Sequence, residues 1–124
     1  MFHWFVLVAT GGAVGSILRY TLSLVSLKIY PGQIFPWATL LANLIGCFLI
    51  GLLVGYLPKQ ISYQHEWKLL LITGFCGGLT TFSTFGLDGL ILLQNHRYIL
   101  WAIYFLLTNL FGTLLVAVGW WITK

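Results

Sequence analysis

Four apolar stretches, each near the roughly 20 residues that a bilayer's hydrocarbon core requires of a helix, take up almost the whole of this 124-residue chain. They run from about residue 4 to 27, 37 to 56, 67 to 93 and 98 to 122. Only 6% of the residues are charged, against about 25% in soluble domains. The expected fold class is therefore an all-α integral membrane protein of four transmembrane helices in a single domain. Pro31-Gly32 and Pro36 punctuate the first loop, Pro58 stops the second span, and Gln94-Asn95-His96-Arg97 forms the last turn. All six tryptophans (Trp4, Trp37, Trp67, Trp101, Trp120 and Trp121) fall near a proposed span end, where amphipathic rings sit at the interface.

The third span contains a sequence that makes a poor continuous helix. Gly74-Phe75-Cys76-Gly77-Gly78 is followed by Leu79-Thr80-Thr81-Phe82-Ser83-Thr84-Phe85. Each glycine costs about 1 kcal/mol relative to alanine in a helix interior, and the hydroxyls that follow compete for backbone partners. Two readings are open: close helix packing at the glycines, or a helix broken in mid-membrane. A broken helix frees carbonyls and amides that protein, water or an ion must satisfy.

Charge excludes some functions and leaves topology open. The net charge of +4 comes from scattered basic residues, with no block of the kind that binds nucleic acid. The first segment lacks a basic leader and is too long for a cleavable signal peptide. With four spans, Lys59, Lys68 and Lys124 share one side, and Lys28 and Arg97 the other. That tally orients nothing under the positive-inside rule. It reflects either a small sample or a chain that inserts both ways and pairs antiparallel. Gly11/Gly15, Gly12/Ser16 and Gly51/Gly55 have small-xxx-small spacing, which predicts close helix contact without saying whether it lies within or between subunits. Cys47 and Cys76 have no CxxC or nearby histidine and read as small packing residues.

The polar residues inside the spans need partners or a function. Arg19 either snorkels to the interface or marks a vestibule. Asp88 is the one acid within a span, and either holds a structural partner or gates. Thr39, Asn43 and Gly46 share a face of the second span, Tyr104, Thr108 and Gly112 a face of the fourth, and Asn109 and Thr113 a neighbouring one. These faces are either helix-to-helix hydrogen bonds or a continuous uncharged polar track suited to a small ion that must enter and leave. Phe82 and Phe85, at i,i+3, share one side of the third helix. They are either packing residues or aromatic edges, partly positive, that join the hydroxyls around a small anion.

The segment from Gly74 to Phe85, the run Gly11-Gly12-Ala13-Val14-Gly15-Ser16-Ile17-Leu18-Arg19-Tyr20 and the run Thr39-Leu40-Leu41-Ala42-Asn43-Leu44-Ile45-Gly46-Cys47-Phe48 together resemble the motifs of the Fluc/CrcB fluoride channels of bacteria and other microbes. The resemblance covers essentially the whole chain. It implies passive, fluoride-selective export across the inner (plasma) membrane of a bacterium by a multi-pass, dual-topology, antiparallel homodimer with two pores. It also implies a third helix broken in mid-membrane and a structural Na+ at the dimer centre, held by backbone carbonyls of Gly77 and Thr80. By motif position Phe82, Phe85 and Asn43 line the pores with Ser83, Thr84 and Tyr104, while Arg19 and Asp88 are vestibule or gating candidates. Thr39, Thr108 and Thr113 are further candidates for the polar track; the fourth span carries no motif comparable to the others. The partners so implied are fluoride, a second copy of the chain and the lipid bilayer.

The chain offers no nucleophile–base pair, paired carboxylates or metal-ligand cluster, so an enzyme is not expected. The alternative is a small proton-coupled multidrug transporter, for which Asp88 is the available acid. A haem anchor would need axial histidines within the spans, whereas His3, His65 and His96 fall in or near loops.

Overall fold

The computed structural model describes residues 1–57 and 64–124. Pro58, Lys59 and the first part of the polar run after them lie outside the described residues. Among the described residues the chain is all-helical, and four helices are long and apolar enough to cross a membrane: Phe2–Ile29, Trp37–Tyr56, His65–Gln94 and Tyr98–Thr123. Much of their apolar surface faces outward, Ile17, Leu24, Leu110, Leu114 and Trp121 among it. That is the arrangement of a protein whose solvent is lipid.

The first helix ends where the Tyr30 amide donates to the Ser26 carbonyl at 2.9 Å. Gly32 then takes a positive φ of 74°, a conformation open to glycine at no steric cost, and turns the chain towards Pro36. This loop sends one residue into the core. The Phe35 ring meets that of Tyr104 edge-on, with centroids 5.8 Å apart. Around the buried Leu40, Leu92 and Tyr104 gather Phe35, Phe85, Leu100 and Trp101, joining the second helix to the second half of the third and the first half of the fourth.

Glycines determine how closely the helices pack. The first helix lies along the early part of the third, and the second along the late part of the fourth. A Cβ on Gly11 would meet the Leu70 carbonyl and stand 2.9 Å from the Phe75 nitrogen; one on Gly74 would stand 3.0 Å from the Gly11 Cα. At the other pair, a Cβ on Gly51 would meet the Val116 carbonyl, and one on Gly119 would stand 2.8 Å from the Leu52 nitrogen. Backbone thus meets backbone at both crossings, the small-residue contact by which helices associate in lipid. The spacings Gly11/Gly15 and Gly51/Gly55 therefore serve contacts within the chain.

Neither of the last two helices is uniform. The third opens into wide π-type turns over Lys68–Cys76 and closes to α over Gly77–Leu79; the fourth widens over Leu107–Phe111. Wide turns of this kind occur often at functional sites.

Candidate functional site: an interrupted helix beside an uncharged groove

The third helix stops at Leu79 and starts again at Phe82. Between them Thr80 (φ −84°, ψ 152°) and Thr81 (φ −153°, ψ 124°) are extended. Gly77, with φ −63° and ψ −35°, is still helical. The interruption therefore falls at the two threonines and not over the whole Gly77–Thr80 stretch.

Side chains take up the backbone groups that the interruption frees. Asn43, buried on the second helix, bonds the Thr81 peptide on both sides. Its Oδ1 accepts from the Thr81 N–H at 2.8 Å and its Nδ2 donates to the Thr81 carbonyl at 3.3 Å. A carboxamide carries a donor and an acceptor side by side, so it can serve an extended residue as a neighbouring strand would. The Thr81 hydroxyl accepts from the Thr84 N–H at 3.2 Å and so caps the helix that follows. The same oxygen donates to Thr84 Oγ1 at 3.2 Å and lies 3.1 Å from Ser83 Oγ. On the preceding side the Thr80 N–H and hydroxyl both donate to the Cys76 carbonyl at 2.9 Å. Arg19 reaches across from the first helix, its Nε donating to the Gly78 carbonyl at 3.2 Å. A guanidinium there suits the negative end of the helix that stops at Leu79.

Beside the interruption a groove of ≈ 750 Å³ opens between the second, third and fourth helices. Asn43, Thr80, Thr81, Phe82 and Phe85 line one part of it, and Thr108, Asn109 and Thr113 another; it continues between Ile50, Val54, Val116 and Trp120. None of its lining residues carries a formal charge. Thr113 and Asn109 bond back to their own helix. The Thr108 oxygen is buried with no partner among the described residues. A buried hydroxyl without a partner is uncommon.

The aromatic pair continues into the core. Phe82 is 82% exposed and its ring centroid lies 5.7 Å from that of Phe85. Phe85 in turn lies 5.1 Å from Tyr104 and 6.2 Å from Phe105. Tyr104, fully buried, sits behind the groove and not on it. Its hydroxyl donates to Asp88 Oδ2 at 3.2 Å, and the buried Thr39 hydroxyl lies beside it. Asp88 thus stands outside the groove lining, in a partnership with Tyr104. Tyr104→Phe is expected to destabilise the protein by about 1–3 kcal/mol, the range for removing one partner of a hydrogen bond to a carboxyl group. Unfolding of Tyr104→Phe, Asp88→Asn and the double variant checks this: the losses should be less than additive. Additive losses would dissolve the pair.

The structure gathers Asn43, Phe82, Phe85, Thr108 and Thr113 on one groove, with Ser83 and Thr84 on the cap beside it. It sets Arg19 against the interrupted helix and Thr39 and Asp88 around Tyr104. Sequence reasoning missed two contributors. Thr81 could have been found as a hydroxyl three residues ahead of Thr84 at a helix start; Asn109 was seen on its face but not placed at a site.

Residues 6–120 match the family described as "CrcB-like protein, Camphor Resistance (CrcB)". A protein of Nitratidesulfovibrio vulgaris (strain DP4) named "Fluoride-specific ion channel FluC" is 47% identical over 117 residues, 94% of each chain. Its namesake in Helicobacter acinonychis (strain Sheeba) is 43% identical over 121 residues, 97% of this chain and 94% of the relative. That of Rhizobium johnstonii is 44% identical over 99 residues, 80% of this chain and 78% of the relative.

Proposed function

The chain belongs to the CrcB-like family, and from that premise we propose that it is a fluoride channel, a multi-pass membrane protein that lets the anion leave the cell down its electrochemical gradient. The observation that carries this reading is the groove itself: hydroxyls, amides and phenyl rings with no formal charge, beside an interrupted helix. Conduction needs binding favourable enough for the ion to enter and weak enough for it to leave, which uncharged donors provide. Ring edges, partly positive, replace some of the water a small anion gives up. Fluoride enters a cell as neutral HF, dissociates at cytoplasmic pH and leaves as the ion. A channel suffices, and no energy source is required.

The pore is completed by a second copy of the chain in the opposite orientation. One subunit leaves the groove open and Phe82 uncovered. Its basic residues are nearly balanced between the two ends, so either orientation can insert. An antiparallel pair would close one such groove on each side and so form two pores.

The interruption also fits a small cation. In a continuous helix the Gly77 carbonyl would accept from the Thr81 N–H, and the Thr80 carbonyl from the Thr84 N–H. Here those amides go to Asn43 and to the Thr81 hydroxyl. Gly77 and Thr80 are thus left with carbonyl oxygens available for a ligand, the donor type that coordinates sodium where membrane helices unwind. A sodium ion held by these carbonyls from two subunits would add positive charge beside the uncharged groove. Asn43, Arg19 and Thr81 hold the backbone around it.

Liposomes containing the purified protein test the function. Loaded with potassium fluoride and opened to potassium by valinomycin, they should release fluoride, and liposomes loaded with chloride should retain it. Chloride release at a comparable rate would overturn the assignment.

A further inference from the structure

We infer that Asn43 and Thr81 act as positioning residues for the cation site, each drawing away one amide so that one carbonyl stays free. The inference rests on the sodium reading above and adds the side chains that create the site. The pairing is one to one. Asn43 Oδ1 holds the Thr81 N–H at 2.8 Å, which denies Gly77 its helical donor four residues on. The Thr81 hydroxyl holds the Thr84 N–H at 3.2 Å, which denies Thr80 its own. The donor three residues after Gly77, the Thr80 N–H, is held by the Cys76 carbonyl at 2.9 Å.

Without these two acceptors the simplest repair is for Thr81 N–H to return to Gly77 and Thr84 N–H to Thr80. The third helix would run through, and both carbonyls would be buried in its ladder. Asn43 adds a second constraint: its Nδ2 holds the Thr81 carbonyl at 3.3 Å, which keeps the residue extended. One buried amide on the second helix thus fixes the backbone of the third, and through it the position of Phe82, the next residue and the first of the resumed helix.

The experiment measures unfolding of the purified protein as sodium replaces N-methyl-D-glucamine. Wild type should gain stability with sodium and show a half-maximal concentration. Asn43→Leu and Thr81→Val keep approximate shape and lose the acceptors; each should raise that concentration by roughly 10- to 100-fold, the usual effect of removing a group that orients a metal's ligands. Thr81→Ser keeps the accepting oxygen and should behave as wild type. A merely structural role would lower the midpoints with and without sodium together and leave the half-maximal concentration in place; that outcome overturns the inference. If Asn43→Leu does not accumulate as folded protein, the contrast between Thr81→Val and Thr81→Ser decides it. A wild type that conducts fluoride but gains nothing from sodium would overturn the sodium reading, and this inference with it.

Discussion

Phe82→Ile is expected to slow fluoride efflux from liposomes by about 30-fold while the chain still folds and inserts. The expectation follows from where the ring stands. Phe82 is 82% exposed on the subunit, and the ring contact it makes there is with Phe85, at 5.7 Å. Isoleucine replaces its bulk and β-branching does not harm a first-turn helical position greatly, so the subunit loses little packing. What it does lose is the aromatic quadrupole. A cation over a ring face in a site stripped of water gains about 2 kcal/mol; taking the same size for an anion at the partly positive ring edge, 1.36 kcal/mol per tenfold in rate gives the stated slowing. Phe85→Ile is the less informative change, because Phe85 also packs on Tyr104 and Phe105 and its loss mixes folding with flux. Efflux from Phe82→Ile at the wild-type rate would remove ring edges from the permeation mechanism. Lost efflux with lost folding would mean that the residue is only packing.

The sequence showed different parts of this arrangement to different depths. The four apolar helices were legible because a bilayer imposes a length and a composition that few alternatives satisfy. The weakness of the third helix was legible in its glycines and hydroxyls, but the place where it gives way was not. Gly77 and Gly78 have the poorest propensity in the segment, yet they remain helical and the chain becomes extended at Thr80 and Thr81. The partner that takes the Thr81 amide there lies 38 residues away in Asn43; no local pattern reports that. Arg19 likewise read as a residue bound for the interface or a vestibule, since its acceptor, the Gly78 carbonyl, lies 59 residues on. Phe35 read as part of a loop and stands against Tyr104 in the core. In each case the residue type was informative about the need for a partner, and only the packing of helices supplied which one. The wide turns at Lys68–Cys76 and Leu107–Phe111 left no mark that periodicity could detect.

Gly15→Ala should destabilise the protein by about 1–3 kcal/mol, the cost of forcing one extra carbon into a packed contact, whereas Gly12→Ala on the same helix should be neutral or stabilising by up to about 1 kcal/mol. The chemical change is the same at both positions, so intrinsic helix preference favours both variants by about 1 kcal/mol. Their surroundings differ. A Cβ on Gly12 would find the Gly74 carbonyl oxygen at 3.8 Å, an ordinary contact. One on Gly15 would meet the Phe75 carbonyl, with the Leu79 nitrogen at 2.8 Å and the Gly78 carbonyl carbon at 3.1 Å. All three are backbone, so no rotamer change relieves the clash and the third helix itself must move. That helix is tied just there, by Arg19 to Gly78 and by Asn43 to Thr81, and its shift would carry Thr80, Thr81 and Phe82 out of register with the groove. Fluoride efflux should therefore fall with stability in Gly15→Ala and persist in Gly12→Ala. Reversible unfolding in mixed micelles, read by circular dichroism, measures the first quantity and liposome efflux the second. Equal stability of the two variants would mean that the first and third helices do not meet backbone to backbone at Gly15, and the close crossing on which the interrupted segment rests would have to be abandoned.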